Sequence, residues 1–135
     1  MRRQRGFTLI EALVALVILA FGLLGVAAIQ VKALQSASAG YTQSLANVAA
    51  VDAQERLWAA LSLPYGCESI PLATIESAWY SHWFEGQSAA LGYAQGQGSH
   101  IDRQGCRFEI VVQLSAEPNQ PHDTFHYVFQ LPSQP

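Results

Sequence analysis

The sequence predicts an α+β fold in which one long N-terminal α-helix packs on a small antiparallel β-sheet head. Residues 1–63 contain no proline, and apolar residues recur at helical spacing from Leu34 to Leu61. Two later segments alternate apolar and polar residues, as half-buried strands do. Pro64 and Gly66 stand between these regions and predict the end of the long helix.

The first part of the helix is apolar on all sides. Residues 7–29 contain only Thr8 and Glu11 as clearly polar residues. The run is long enough for the roughly 20 residues that a helix needs to cross a bilayer. It is preceded by basic residues, namely Arg2, Arg3 and Arg5. By the positive-inside rule these arginines hold the N-terminus in the cytoplasm, so the remainder of the chain is expected in the periplasm.

Three interpretations of this N-terminus compete. A secretory signal peptide would be cleaved at a small-residue site such as Val26-Ala27-Ala28, but its apolar region would be too long and would contain Glu11. A plain transmembrane anchor fits the length but gives no reason for Glu11. An acidic residue at the centre of a membrane helix costs at least about 2.5 to 3.5 kcal/mol, so it calls for a partner.

The third interpretation rests on the residues that link the arginines to the apolar run. Arg5-Gly6-Phe7-Thr8-Leu9-Ile10-Glu11 resembles the processing site of type IV prepilins and the related pseudopilins. The resemblance implies a pilin-like fold and a prepilin peptidase that cuts after Gly6. Phe7 would then become the N-methylated first residue. Glu11 would meet the terminal amine of a neighbouring subunit during assembly.

Physical chemistry agrees with this role for Glu11. A free α-amino group is largely protonated at neutral pH. Opposite charges attract more strongly in a low-dielectric layer than in water. Because desolvation opposes this attraction, we expect the pair to set the register between helices rather than to add net stability.

The second part of the helix, residues 30–63, is predicted to be amphipathic and to lie on the head. Its apolar residues recur mostly at steps of three and four, which places them on one stripe. That stripe contains Leu34, Ala37, Tyr41, Leu45, Val48, Val51, Trp58 and Leu61. The predicted organisation is a leader peptide (1–6), a transmembrane and filament-core segment (7–29), the amphipathic half-helix (30–63) and a periplasmic globular head (64–135).

Cys67 and Cys106 are the only cysteines. In an oxidising periplasm such a pair favours a disulfide, which would contribute on the order of 4 kcal/mol for a loop of this length. The alternative is a metal site with His122 and His126. Two histidines and two cysteines without tight spacing give a weak zinc signal, so we predict a disulfide, no metal and no cofactor.

The head is predicted to contain a short helix and at least two strands. Leu72, Ile75, Trp79 and Trp83 recur at helical intervals between Pro71 and Gly86. We interpret the two tryptophans as core residues rather than as a binding patch. The strand candidates are residues 106–114 and 125–131, with a hairpin loop at 117–122 and a further candidate strand at 99–103.

Composition and motifs exclude several classes of function. The net charge is −3 and all ten acidic residues follow residue 6, so the head lacks the basic stripe that direct nucleic-acid binding needs. The sequence has no G-x-S-x-G motif, no H-E-x-x-H motif and no compact Ser-His-Asp arrangement. We therefore expect neither an enzyme nor a small-molecule substrate.

Residues 6–28 are similar to the N-terminus of type IV pilus modification proteins, the PilV-like minor pilins. Phe21-Gly22-Leu23-Leu24-Gly25 is the most telling part, and the strand segment 106–112 suits them as well. The resemblance implies a low-abundance subunit that joins other minor and major pilins in an initiation or tip complex. Such a subunit sits in the inner membrane with a periplasmic head and then enters the pilus.

Other functions remain open at this point. A minor pseudopilin of a type II secretion system shares the processing site. A membrane-tethered periplasmic binding module that never assembles would explain the anchor but not Glu11. Major pilins often bracket a C-terminal loop with a disulfide, and the position of Cys106 delimits no such loop.

Overall fold

The computed structural model describes residues 8–62, 65–92, 97–114 and 124–133. Its elements follow in the order α1 (Leu9–Ala60), a short 3-10 helix (Cys67–Ser69), α2 (Leu72–Phe84), β1 (His100–Gln104), β2 (Arg107–Gln113) and β3 (Thr124–Gln130). One long helix and a small antiparallel sheet confirm the predicted α+β class.

The chain forms two compact units, Met1–Ala39 and Gly40–Pro135. In the first unit, every described residue belongs to α1 or directly precedes it, and all are exposed. α1 is long and apolar enough to cross a membrane, and none of its most apolar window is buried against described residues. A helix is the state that a membrane segment requires, because its backbone N–H and C=O groups are satisfied internally.

α1 ends at Ala60, close to the predicted stop, although the Leu63-Pro64 pair itself lies outside the described residues. Beyond that pair, the amides of Tyr65 and Gly66 both donate to the carbonyl oxygen of Ser62, at 3.0 and 3.1 Å. Gly66 has a φ of 67°, a left-handed conformation that glycine adopts without a Cβ clash. This turn follows the end of α1 and leads the chain into the head.

The sheet has three strands in the order β1-β2-β3, and both neighbouring pairs are antiparallel. β1 confirms the candidate strand at 99–103, and β2 and β3 confirm the two alternating segments. Gln104 pairs with Arg107. The turn between them contains Gly105, whose φ of 62° favours glycine. The predicted hairpin loop at 117–122 lies outside the described residues.

The core of the second unit is formed by the sheet, α2 and the 40–60 part of α1. β2 contributes Phe108, Ile110 and Val112, which are completely buried, as the alternation predicts. α2 contributes Trp79 and Trp83, which are both buried. The interpretation of these tryptophans as core residues is therefore confirmed.

The face of α1 that packs on the head is not the predicted one. The predicted stripe is mostly exposed, including Tyr41 at 66%, Val48 at 51% and Trp58 at 43% of their surface. We call the buried set the alanine stripe; it consists of Ala46, Ala49, Ala50, Ala53 and Leu57. The prediction followed the helical spacing of a mainly large apolar set and did not consider the alanines that recur on the other face. Close packing instead requires small residues here, because the bulky Trp79 fills the adjoining space.

Candidate assembly surface

Glu11 stands in the first turn of α1, whereas Gly6 and Phe7 lie outside the described residues. The N–H of Glu11 donates to the carbonyl oxygen of Thr8 at 3.0 Å, which begins the helical backbone. Its side chain is exposed and forms no ion pair with a described residue. An acid here also lies near the positive end of the helix dipole. The carboxylate is thus accessible to a cation from outside the chain.

The 40–60 part of α1 carries an exposed apolar surface opposite the alanine stripe. We call it the outer stripe; it consists of Tyr41, Val48, Val51 and Trp58. Steps of seven and three keep these side chains on one face of a helix. Soluble monomers rarely expose contiguous apolar patches of more than a few hundred Å². This face is therefore suited to packing against another apolar surface.

Two polar contacts between distant parts of the chain, and one within α1 that shares an acceptor with one of them, hold the head on the other side of α1. The indole Nε1 of Trp83 donates to Oδ2 of Asp52 at 2.8 Å. The guanidinium Nε of Arg56 donates to the same oxygen, also at 2.8 Å. From the sheet, the hydroxyl of Tyr127 donates to Oε1 of Gln54 at 2.6 Å. These bonds fix which side of the helix faces outward.

Cys67 and Cys106 form a disulfide, as the sequence predicts, with their Cα atoms 5.4 Å apart. The bridge ties the segment after α1 to the turn between β1 and β2. The carbonyl oxygen of Cys106 also accepts the N–H of Leu131 at 2.9 Å, so the end of β3 closes on the same turn. The bridge therefore holds three parts of the head together.

The alternative of a metal site with these cysteines does not fit the structure. Both thiols are consumed by the disulfide. His126 lies in β3, where its Nδ1 is 2.9 Å from Oε1 of Glu109. His122 lies outside the described residues. Within the part of the chain that the structure describes, no group of three or more His, Cys, Asp or Glu side chains could hold a metal ion.

Sequence reasoning missed two features of this site. The alanine stripe had a visible signal, because Ala46, Ala49, Ala50 and Ala53 recur at helical spacing. No sequence signal indicated that Asp52 would accept a hydrogen bond from Trp83, because the two residues are 31 positions apart. Only the folded chain brings these two side chains together.

Comparison with known proteins identifies one region. Residues 1–27 match the family model described as the prokaryotic N-terminal methylation motif. The matched region contains the predicted cleavage site and Glu11. No curated protein and no solved structure matches the chain.

Proposed function

We propose that this type IV pilin-like protein is a minor pilin, a structural subunit that helps to initiate or cap a type IV pilus. Through the pilus it would support twitching motility, adhesion or DNA uptake. The pilin-like character follows from the methylation motif together with the α+β architecture. The minor role is supported by the similarity of residues 6–28 to type IV pilus modification proteins.

The motif implies processing by a prepilin peptidase and assembly with other pilins. In our proposal the peptidase cuts between Gly6 and Phe7, and Phe7 is then N-methylated. Glu11 becomes the fifth residue of the mature chain and pairs with the terminal amine of a neighbouring subunit. The leader arginines keep the N-terminus cytoplasmic, so the head, residues 64–135, is periplasmic until the subunit enters the pilus.

The observation that carries the proposal is the exposed apolar surface of α1, which the described residues of the chain do not bury. All described residues from 8 to 39 are exposed, and the outer stripe is exposed as well. Lipid can cover the first segment before assembly. Packed helices of neighbouring subunits can cover both surfaces afterwards, and a paired Glu11 would then set their register. The disulfide joins the segment after α1 to the β1–β2 turn. It does not bracket a C-terminal loop, as disulfides of major pilins often do, and this difference favours a minor pilin.

Mass spectrometry of the chain purified from its native membrane tests the processing. We expect an N-terminus at Phe7 that carries one additional methyl group. Gly6→Val should retain the leader and remain in the inner membrane. An intact Met1 in the wild-type protein, or normal processing of Gly6→Val, would contradict the proposal.

Quantification in sheared filaments tests assembly. Glu11→Gln should lower the amount of the subunit in the filament fraction, while Glu85→Gln, a change at an exposed acid that follows α2, should not. If the chain is a pilus subunit, deletion of its gene should reduce piliation and leave type II secretion unchanged. The reverse result would identify a minor pseudopilin. Full activity of Glu11→Gln without incorporation would instead identify a tethered module that does not assemble.

A further inference from the structure

The two edges of the sheet differ in how they are covered. On β1, the N–H of Ile101 donates to Oε2 of Glu76 in α2 at 2.9 Å. Arg103, also in β1, donates from Nη1 to the carbonyl oxygens of Glu68 and Ile70, each at 3.3 Å. Glu76 of α2 and the segment before α2 therefore contact this edge at Ile101 and Arg103, while residues 102–104 remain exposed. A further strand could not pair there without displacing them.

The other edge, along β3, is open among the described residues. The N–H of Leu131 points to β2, where it donates to Cys106. Because backbone groups alternate in an antiparallel ladder, the intervening residues point away from β2. They are Thr124, His126, Val128 and Gln130. No described strand pairs with this side of β3.

β3 also lacks the features that usually protect an edge strand. Natural edges carry lysine, proline, bulges or charges that prevent another strand from adding. The sequence of β3, Thr-Phe-His-Tyr-Val-Phe-Gln, contains no Lys, Arg, Asp, Glu or Pro, and its pairing with β2 is continuous. Such a segment readily accepts a strand. Because Glu76 already accepts an outward N–H of β1, β3 is the edge better suited to an added strand.

The side chains of β3 indicate what would pair with it. Its core-facing aromatics, Phe125, Tyr127 and Phe129, are only partly buried, whereas their β2 neighbours are completely buried. An added strand with apolar residues at alternate positions would cover this row. On the outer face, the ring of His126 already contacts Glu109 at 2.9 Å. Since β3 itself carries no Lys, Arg, Asp or Glu to pair with a charge on an added strand, an uncharged strand is favoured.

We propose that the β3 edge binds an extended, uncharged strand with alternating apolar residues, supplied by a different subunit of the same filament or tip complex. Main-chain hydrogen bonds to the even-numbered residues of β3 give the affinity, and the apolar row gives the register. This proposal rests on the proposed function, because the partner strand belongs to another subunit of the proposed filament or tip complex.

A second copy of this chain does not fit the edge. Two β3 strands that pair antiparallel are related by a two-fold axis perpendicular to the sheet. That axis reverses every direction in the sheet plane. The 40–60 part of α1 packs on the sheet face, so this part of the helix would run in opposite directions in the two copies, whereas subunits of one filament share one direction. Pairing of β3 with the β1 edge of a copy is opposed by Glu76, which already occupies that edge.

Val128 provides the test, because it is 43% exposed and its N–H points away from β2. Val128→Pro removes this donor without breaking the ladder, and an outward-facing edge position tolerates proline. Val128→Lys keeps the donor and adds the charge that natural edges use. Val128→Thr, which keeps the donor and stays uncharged, is the matched control. Thermal unfolding of each full-length processed chain in detergent establishes that the head is folded.

The readout is the amount of each variant in sheared filaments, measured by quantitative mass spectrometry. We expect about a tenfold reduction for Val128→Pro and Val128→Lys and wild-type levels for Val128→Thr, with similar unfolding temperatures for all. Wild-type incorporation of both Pro and Lys variants would overturn the edge proposal and leave the proposed function intact. Absence of the wild-type chain from filaments would overturn both. A dimer of the purified chain that Val128→Lys dissociates would overturn the assignment to a different subunit.

Discussion

The indole Nε1 of Trp79 donates a hydrogen bond of 2.8 Å to the main-chain carbonyl oxygen of Ala49. Both residues are completely buried. The bond joins α2 directly to the backbone of α1, and a carbonyl oxygen has a second lone pair to accept it beside its helical hydrogen bond. A large side chain at position 49 would keep the indole away from the backbone. The head is thus attached to α1 where the helix is narrowest.

Ala49→Leu should destabilise the head. The larger side chain would displace Trp79 from a closely packed site, and such overpacking costs about 1–3 kcal/mol. We expect a lower free energy of unfolding in urea for the full-length processed chain in detergent. Val48→Leu, one position along on the exposed face, is the control and should unfold like the wild type. Equal stability of the two variants would show that the alanine stripe is not closely packed.

Trp79→Phe should separate the hydrogen bond from the presence of a buried ring. The variant keeps an aromatic side chain but loses the indole donor and some volume, so we expect a loss of about 1–3 kcal/mol. Circular dichroism during thermal unfolding measures this effect without relying on tryptophan fluorescence. Trp58→Phe changes the same side chain on the outer stripe. It should have almost no effect on stability, and a large effect there would mean that Trp58 packs inside the chain.

Asp52→Ala should loosen the contact between α2 and α1. It removes the acceptor shared by Trp83 and Arg56. Because the carboxylate is partly exposed, we expect a loss of about 1 kcal/mol rather than the larger cost of a buried charge. The same substitution at Glu55 is the control, since that side chain is exposed. If Asp52→Ala left the stability unchanged, water would replace the carboxylate without a cost in free energy.

Much of the fold could be predicted because its signals are local. The apolar run, the strand alternation around Phe108 and the helical spacing of Trp79 and Trp83 each depend on neighbouring residues only. The N-terminal motif is local as well, and the family comparison finds it in the same region.

The orientation of α1 could not be predicted in this way. Large apolar residues and alanines both recur at helical spacing, so periodicity alone does not say which stripe faces the head. The choice depends on Trp79, which needs small neighbours, and on Asp52, whose partner Trp83 lies far along the chain. These are tertiary constraints that no local pattern contains. For the same reason, local patterns do not predict the hydrogen bond that Glu76 accepts from Ile101 at the β1 edge, because the two residues are 25 positions apart.

Breaking the disulfide should reduce stability substantially. Cys67→Ser or Cys106→Ser opens a loop whose ends are 39 residues apart in the sequence. The expected loss is about 2–4 kcal/mol, because the unfolded chain regains conformational freedom. The double variant should be no less stable than the less stable of the two single variants. Reductant should lower the unfolding temperature of the wild type but not that of the variants. Unfolding that reductant does not affect would contradict the structural role of the bridge.

Substitutions on the two sides of α1 should separate assembly from stability. Val51→Ser and Trp58→Ser remove apolar surface that is exposed in the isolated chain, so unfolding should hardly change. If the outer stripe packs against neighbouring helices, burial of about 25 cal/mol per Å² is lost in the filament, and incorporation should fall several-fold. Leu57→Ala, on the buried side, should instead cost about 2–5 kcal/mol of stability. Normal incorporation of a Val51→Ser, Trp58→Ser double variant would mean that this face meets no subunit.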